Sequence, residues 1–211
     1  MSRTSLAARH ADLTQRLILD AAVDLLETTS VGELSVRAVA KRAEISERTV
    51  FRYFAAREDL LDAVAAEVAR RTQAPPNPKT VAELLAYPRA IFARYEETVT
   101  LTLAAMHSEL FHRIRTTDAE RRGATIRALV DREAPSRPER ERRLAAANIH
   151  YHVIASTWRY YRFYFGFPLE DAVECASMAI RQTLAGLGVD VGDAEQLGQC
   201  FGVSVEGKAI R

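Results

Sequence analysis

Apolar positions along this chain recur every three to four residues almost throughout, and strand-like alternation is nearly absent. That periodicity predicts an all-helical protein. A first helix is expected over about 13–27, with Leu17, Ile18, Ala21, Leu25 and Leu26 on its buried face and Asp12 as its N-cap. A break follows over 28–32. Ser35 then caps a short helix whose Val36, Val39 and Ala40 point inward, and Ser46 caps another, anchored by Val50 and Phe54. A fourth helix opens at Arg57, Glu58 and Asp59, with its acids where the helix dipole favours them. Its stripe of Leu60, Leu61, Val64 and Val68 runs to about Arg71.

Pro75, Pro76 and Pro78 stop the pattern and form a stiff spacer. Past them the spacing predicts helices near 80–97, 99–116, 118–133, 138–165 and 169–188, interrupted at 134–138 and 166–168. The expected organisation is a flexible arm (1–12), a small domain (13–72), a larger helical domain (80–188) and a loose tail (189–211).

The two short helices over 35–54 lie side by side in sequence, joined by a few residues around Glu44. The second is crowded with arginine, hydroxyl and aromatic side chains that a core does not need. This is the layout of a helix-turn-helix whose second helix enters the major groove of DNA. Net charge sharpens the picture. The whole chain carries only +1, and residues 1–73 balance. Between Ser35 and Arg57, however, six bases face two acids, a local +4. Screening confines exposed charges to a range of about 8 Å, so this local excess is what phosphates would feel.

Residues from about Leu13 to Arg71 resemble the TetR family of transcriptional regulators. The likeness is carried by Ile18-Leu19-Asp20-Ala21-Ala22 with Leu25-Leu26, then Leu34-Ser35-Val36-Arg37 to Ala40. It continues through Ile45-Ser46-Glu47-Arg48-Thr49-Val50-Phe51-Arg52-Tyr53-Phe54 and ends at Arg57-Glu58-Asp59-Leu60-Leu61. It covers roughly the first third; beyond Pro78 only the helical architecture agrees. The resemblance implies a homodimer in which a helix-turn-helix domain of three helices is followed by a larger domain. That larger domain would bind an effector and dimerise through its last two long helices. Two departures stand out: Phe51 replaces a frequent tyrosine, and Arg48 replaces a small residue, commonly glycine. Arg57 keeps the charge of the family's usual lysine.

Ser35 and Ser46 are read as caps whose helix N-termini also suit phosphate. Arg37 and Arg57 are expected to clamp the DNA backbone. Arg48 and Thr49, in the first turn of the second short helix, are candidates for base or phosphate contact. Arg52 lies on the same face as Arg48, and Tyr53 offers a hydroxyl to the backbone. Phe51 has no donor, which leaves it core packing or contact with a thymine methyl.

In the larger domain, Glu109 and His112 form a Glu-x-x-His pair with His107 nearby, but no second such pair occurs and no metal or cofactor is expected. His150 and His152 fall on different helix faces. The aromatic run from Tyr151 to Phe167 is expected to pack with core and partner, with some rings facing a pocket. Met106, His107, Asn148, His152 and Trp158 are the pocket candidates. Val173, Ala176, Ile180, Thr183, Leu184 and Leu187 make an apolar stripe expected to meet its symmetry mate.

No run of about 18 apolar residues occurs, and the first ten lack a signal-peptide core, so a cytoplasmic location is expected. Cys175 and Cys200 match no metal or redox spacing and read as reduced thiols. No paired carboxylates, nucleophile–base motif or phosphate loop points to an enzyme. The leading expectation is a repressor released from a palindromic double-stranded operator by a small molecule. An activator or effector-independent binder is the alternative, and a helical enzyme or carrier a remote one.

Overall fold

The computed structural model describes residues 6–28, 34–108 and 110–192. Among them every regular element is helical: α1 (Leu6–Thr28), α2 (Val36–Arg42), α3 (Glu47–Tyr53), α4 (Arg57–Thr72), α5 (Val81–Glu97), α6 (Val99–Met106), α7 (Leu110–Glu133), α8 (Glu139–Tyr151), α9 (Ala155–Arg159) and α10 (Leu169–Gly186). A π-helical turn, Tyr160–Tyr164, continues α9. Arg3, Glu109, Cys200, residues 193–211 of the expected tail and the side chain of His112 lie outside the described residues. None of the described helices is long and apolar enough to cross a membrane.

Several boundaries differ from the sequence reading. α1 begins at Leu6, which puts Asp12 inside the helix rather than at its cap, and Leu17 is exposed rather than buried. One expected helix over 99–116 is two, because α6 ends at Met106 and α7 starts at Leu110. The expected 138–165 helix likewise breaks after Tyr151 and resumes at Ala155. Pro88 sits buried inside α5 without ending it.

Two compact units emerge. The first takes the chain to Ala74 together with Arg94–Glu120; the second takes Pro75–Ala93 and the chain from Arg121 onward. The first unit is therefore larger than a contiguous 13–72 segment. Its core joins Ile18, Val23 and Leu26 of α1 to Val39, Val50, Phe54, Leu60 and Val64, and also to Leu101, Ala105 and Leu110 of α6 and α7. Burying this many aliphatic side chains, each worth about 1.5–3 kcal/mol, is what holds the short α2 and α3 in place. Arg94 caps the end of α4 by donating to the carbonyls of Arg71 and Thr72. Arg113 of α7 donates to the carboxylates of Glu58 and Asp62 on α4.

In the second unit α8 packs on α10. Arg89 of α5 pairs with Glu170 of α10. Asp131 of α7 accepts from both Arg127 and Arg142, each at 2.7 Å, which ties α7 to the start of α8. Arg137 donates to the carbonyls of Leu187 (3.0 Å) and Gly186 (3.2 Å) and so caps α10 with a cation where the helix dipole is negative.

Candidate nucleic-acid interface

α2 and α3 begin on side-chain caps. Ser35 Oγ accepts the Ala38 N–H at 3.1 Å, and Ser46 Oγ accepts the Thr49 N–H at the same distance. Between the helices the chain turns through a Schellman motif: the Glu44 N–H reaches the Lys41 carbonyl (3.3 Å) and the Ile45 N–H the Ala40 carbonyl (3.0 Å). Glu44 occupies the left-handed position, at φ 54°. Glycine is usual there, so nothing in the residue type marked the turn.

Val50 is fully buried and Phe54 nearly so, which anchors one face of α3. The opposite face presents Glu47, Arg48, Phe51 and Arg52, all exposed. The Arg52 guanidinium lies 5.2 Å over the Tyr53 ring. Tyr53 is half-buried, and a hydrogen bond with the Thr14 side chain of α1 holds its phenol below the ordinary value. Thr49 is half-buried, with its hydroxyl 2.9 Å from Ser46 Oγ. Arg37 is exposed on α2. Arg57, half-buried in the first turn of α4, is 3.6 Å from the Glu58 carboxylate. Five of the eight expected contact residues, Ser46, Arg48, Thr49, Arg52 and Tyr53, thus cap or line α3; Ser35 and Arg37 stand at the start of α2 and Arg57 at the start of α4. Arg42, counted in the local charge, is paired with Asp24 of α1, so part of that excess is neutralised within the fold.

The comparisons with known proteins agree with this geometry. Residues 18–64 match the model for bacterial regulatory proteins of the tetR family. Over that stretch the chain is similar to the tetR family. No curated protein matches the chain. The crystal structure of a TetR-like transcriptional regulator from Rhodococcus sp. RHA1 superposes with a TM-score of 0.55 at 18% identity, covering 87% of this chain and all of that one. At that identity the likeness establishes a shared all-helical fold. The matched stretch contains the helix-turn-helix, the part of the chain that is similar to bacterial regulatory proteins.

The remaining candidates are more scattered. Met106 and His107 belong to the first compact unit; Asn148, His152 and Trp158 belong to the second. His107 is exposed, its Nδ1 2.7 Å from the Leu103 carbonyl. Asn148 donates to Thr183 Oγ1 at 2.7 Å. Trp158 is completely buried, edge-on to Phe163 at 5.5 Å. His152 is half-buried at the break after α8, with Nδ1 3.4 Å from the Tyr161 hydroxyl; burial pushes its pKa down and keeps the imidazole neutral.

On α10, Val173, Ala176, Ile180 and Leu184 are buried within the single chain. Thr183 and Leu187 are half-buried, and the Leu187 carbonyl is held by Arg137. Cys175, half-buried, has its thiol pushed up by burial and by Asp171 and Glu174, which leaves it poorly nucleophilic.

Proposed function

We propose that the protein is a homodimeric transcriptional repressor that binds a palindromic double-stranded operator and is released by a small-molecule effector. The observation that carries the DNA-binding part is α3: a capped helix, anchored by Val50 and Phe54, whose outer face is Arg48 and Arg52 beside Phe51. Two copies would place two such helices about 34 Å apart, one turn of B-DNA.

Support for self-association comes from the second unit. Leu144 and Tyr151 of α8, Tyr160, Phe163, Tyr164 and Phe165 around the π-helical turn, and Met178 of α10 are all exposed large apolar side chains. Tyr160, Tyr164 and Phe165 pack on one another, with ring centroids 4.5–5.4 Å apart. A cluster of exposed rings of this kind is the sort of apolar surface that marks a protein–protein contact. For the effector, His152 is the best supported of the five pocket candidates, because a neutral imidazole beside a tyrosine hydroxyl at a helix break offers convergent polar groups.

The test is fluorescence anisotropy of the full chain on duplexes from the gene's own promoter and its neighbours, over a salt series and a compound panel. The repressor reading expects tight, salt-sensitive binding to one sequence, weakened by at least one compound. Arg48→Ala should lower that affinity about five- to 150-fold, the equivalent of about 1–3 kcal/mol for a base-reading arginine. Specific binding that no compound relieves would favour an effector-independent regulator, and absence of specific binding would overturn the proposal.

A further inference from the structure

α3 directs a mixed strip outward. Glu47, Arg48, Phe51 and Arg52 are exposed and fall at the spacing that shares one face of a helix. Three of the four are charged and at home in water. Phe51 is not: it is 46% exposed on a seven-residue helix whose other aromatic neighbours are half-buried (Tyr53) or buried (Phe54). The sequence left it two roles, core packing or contact with an apolar group on DNA. Its exposure, against the complete burial of Val50 beside it, removes the first.

We propose that Phe51 is a specificity-determining residue that packs against the C5-methyl group of a thymine in the major groove. The thymine methyl is the apolar group that base pairs display in that groove, while the other positions offer hydrogen-bond donors and acceptors, which a phenyl ring cannot use. The ring's surroundings favour a base edge over the sugar–phosphate backbone. Glu47 lies one turn earlier on the same face, and its carboxylate repels phosphate. Arg48, three residues before, and Arg52, next to it, supply donors for guanine or phosphate on either side. The strip Arg48–Phe51–Arg52 therefore selects a thymine set among hydrogen-bonding partners.

The proposal rests on the DNA-binding reading above, and its test keeps the two apart. The full chain selects its preferred duplex from a random pool; failure to enrich any sequence would overturn the DNA-binding reading itself. On the selected duplex each thymine is replaced in turn by deoxyuridine, which deletes only the methyl. For the wild-type protein, one replacement per half-site should weaken binding about fourfold, the equivalent of one buried methyl. Phe51→Ala should bind more weakly and treat thymine and uracil alike at that position, while Phe51→Leu, which keeps an apolar side chain, should retain part of the preference. Both variants should melt with the wild type, since the ring is outside the core. The proposal is overturned if no thymine shows a methyl preference that vanishes in Phe51→Ala. A loss in that variant that is equal for thymine and uracil overturns it too, because the ring then packs on the backbone.

Discussion

Glu44 holds a conformation that side-chain-bearing residues avoid. At φ 54° its Cβ crowds the backbone, at a cost of about 1 kcal/mol that glycine escapes. The hydrogen bonds from Glu44 and Ile45 back to Lys41 and Ala40 offset that strain and keep α3 at its angle to α2. Glu44→Gly should therefore stabilise the protein by about 0.5–1 kcal/mol in a denaturant titration. It should not alter the sequence preference of α3, because Glu44 lies before the helix. An unchanged or lower midpoint would mean that the Glu44 side chain contributes something beyond its backbone angle. At this scale the caps were legible from sequence, since serine at the start of an apolar-periodic run has a specific chemical reason to be there. The left-handed turn was not, for the same reason reversed: its usual mark is a glycine. The exposure of Phe51 was also open, because an aromatic on a short helix fits inside or outside equally well by periodicity.

Helix breaks show the same limit one level up. The interruptions after Met106 and Tyr151 contain neither glycine nor proline, so the apolar rhythm runs through them; local hydroxyl bonds mark them instead, with Ser108 Oγ accepting the Leu110 N–H and Thr157 donating to the Tyr151 carbonyl. The stripe on α10 was correctly seen as apolar, but a period identifies the buried face of a helix and not whose side chains cover it. The ion pairs across helices were invisible for a different reason: Arg113 meets Glu58 and Asp62 across some fifty residues of sequence. Within α4 the chemistry is local and yields a pH prediction. Glu67 accepts from Arg70 (2.8 Å) and Arg71 (2.8 Å), and these bonds lower its pKa from 4.5 to about 2. A carboxylate depressed in the folded state stabilises it fully above the unfolded value, and that contribution is lost as pH falls through the folded value. Thermal melts should thus lose a Glu67-dependent increment between about pH 5 and pH 2. Glu67→Gln should be less stable than the wild type at pH 7, with the difference closing in acid. A gap that stays constant down to pH 2 would show that the pairs contribute nothing to stability.

For the molecule as a whole the decisive surface is the aromatic one of the second unit. Tyr164 is 71% exposed, an unusual place for so much ring, and Phe165 packs edge-on against it. If these rings meet a second copy, sedimentation velocity at micromolar concentration should give a dimer for the wild type. Tyr164→Glu combined with Phe165→Glu should give a monomer, because burying a carboxylate in an apolar contact is costly. Operator affinity should then fall by two orders of magnitude or more as the half-sites lose their linkage. A wild-type monomer would remove the dimer from the proposed function. From sequence these rings were expected to pack with core and partner, and the helical period alone did not say which of them face outward.

The core that supports α3 draws on chain from both sides of the proline spacer: Leu101, Ala105 and Leu110 close over the same cluster as Val39, Val50 and Leu60. The consequence concerns modularity. The recognition element is not a cassette that ends at Pro75. A chimera built by joining residues 1–74 to a foreign sensing domain would strip three apolar side chains from the floor beneath α1 and α4, leaving a hole where α6 had been. If α3 reads DNA as proposed, transplanting that specificity would instead mean exchanging outward positions of α3 such as Glu47, Arg48, Phe51 and Arg52 and leaving the buried residues behind them where they are.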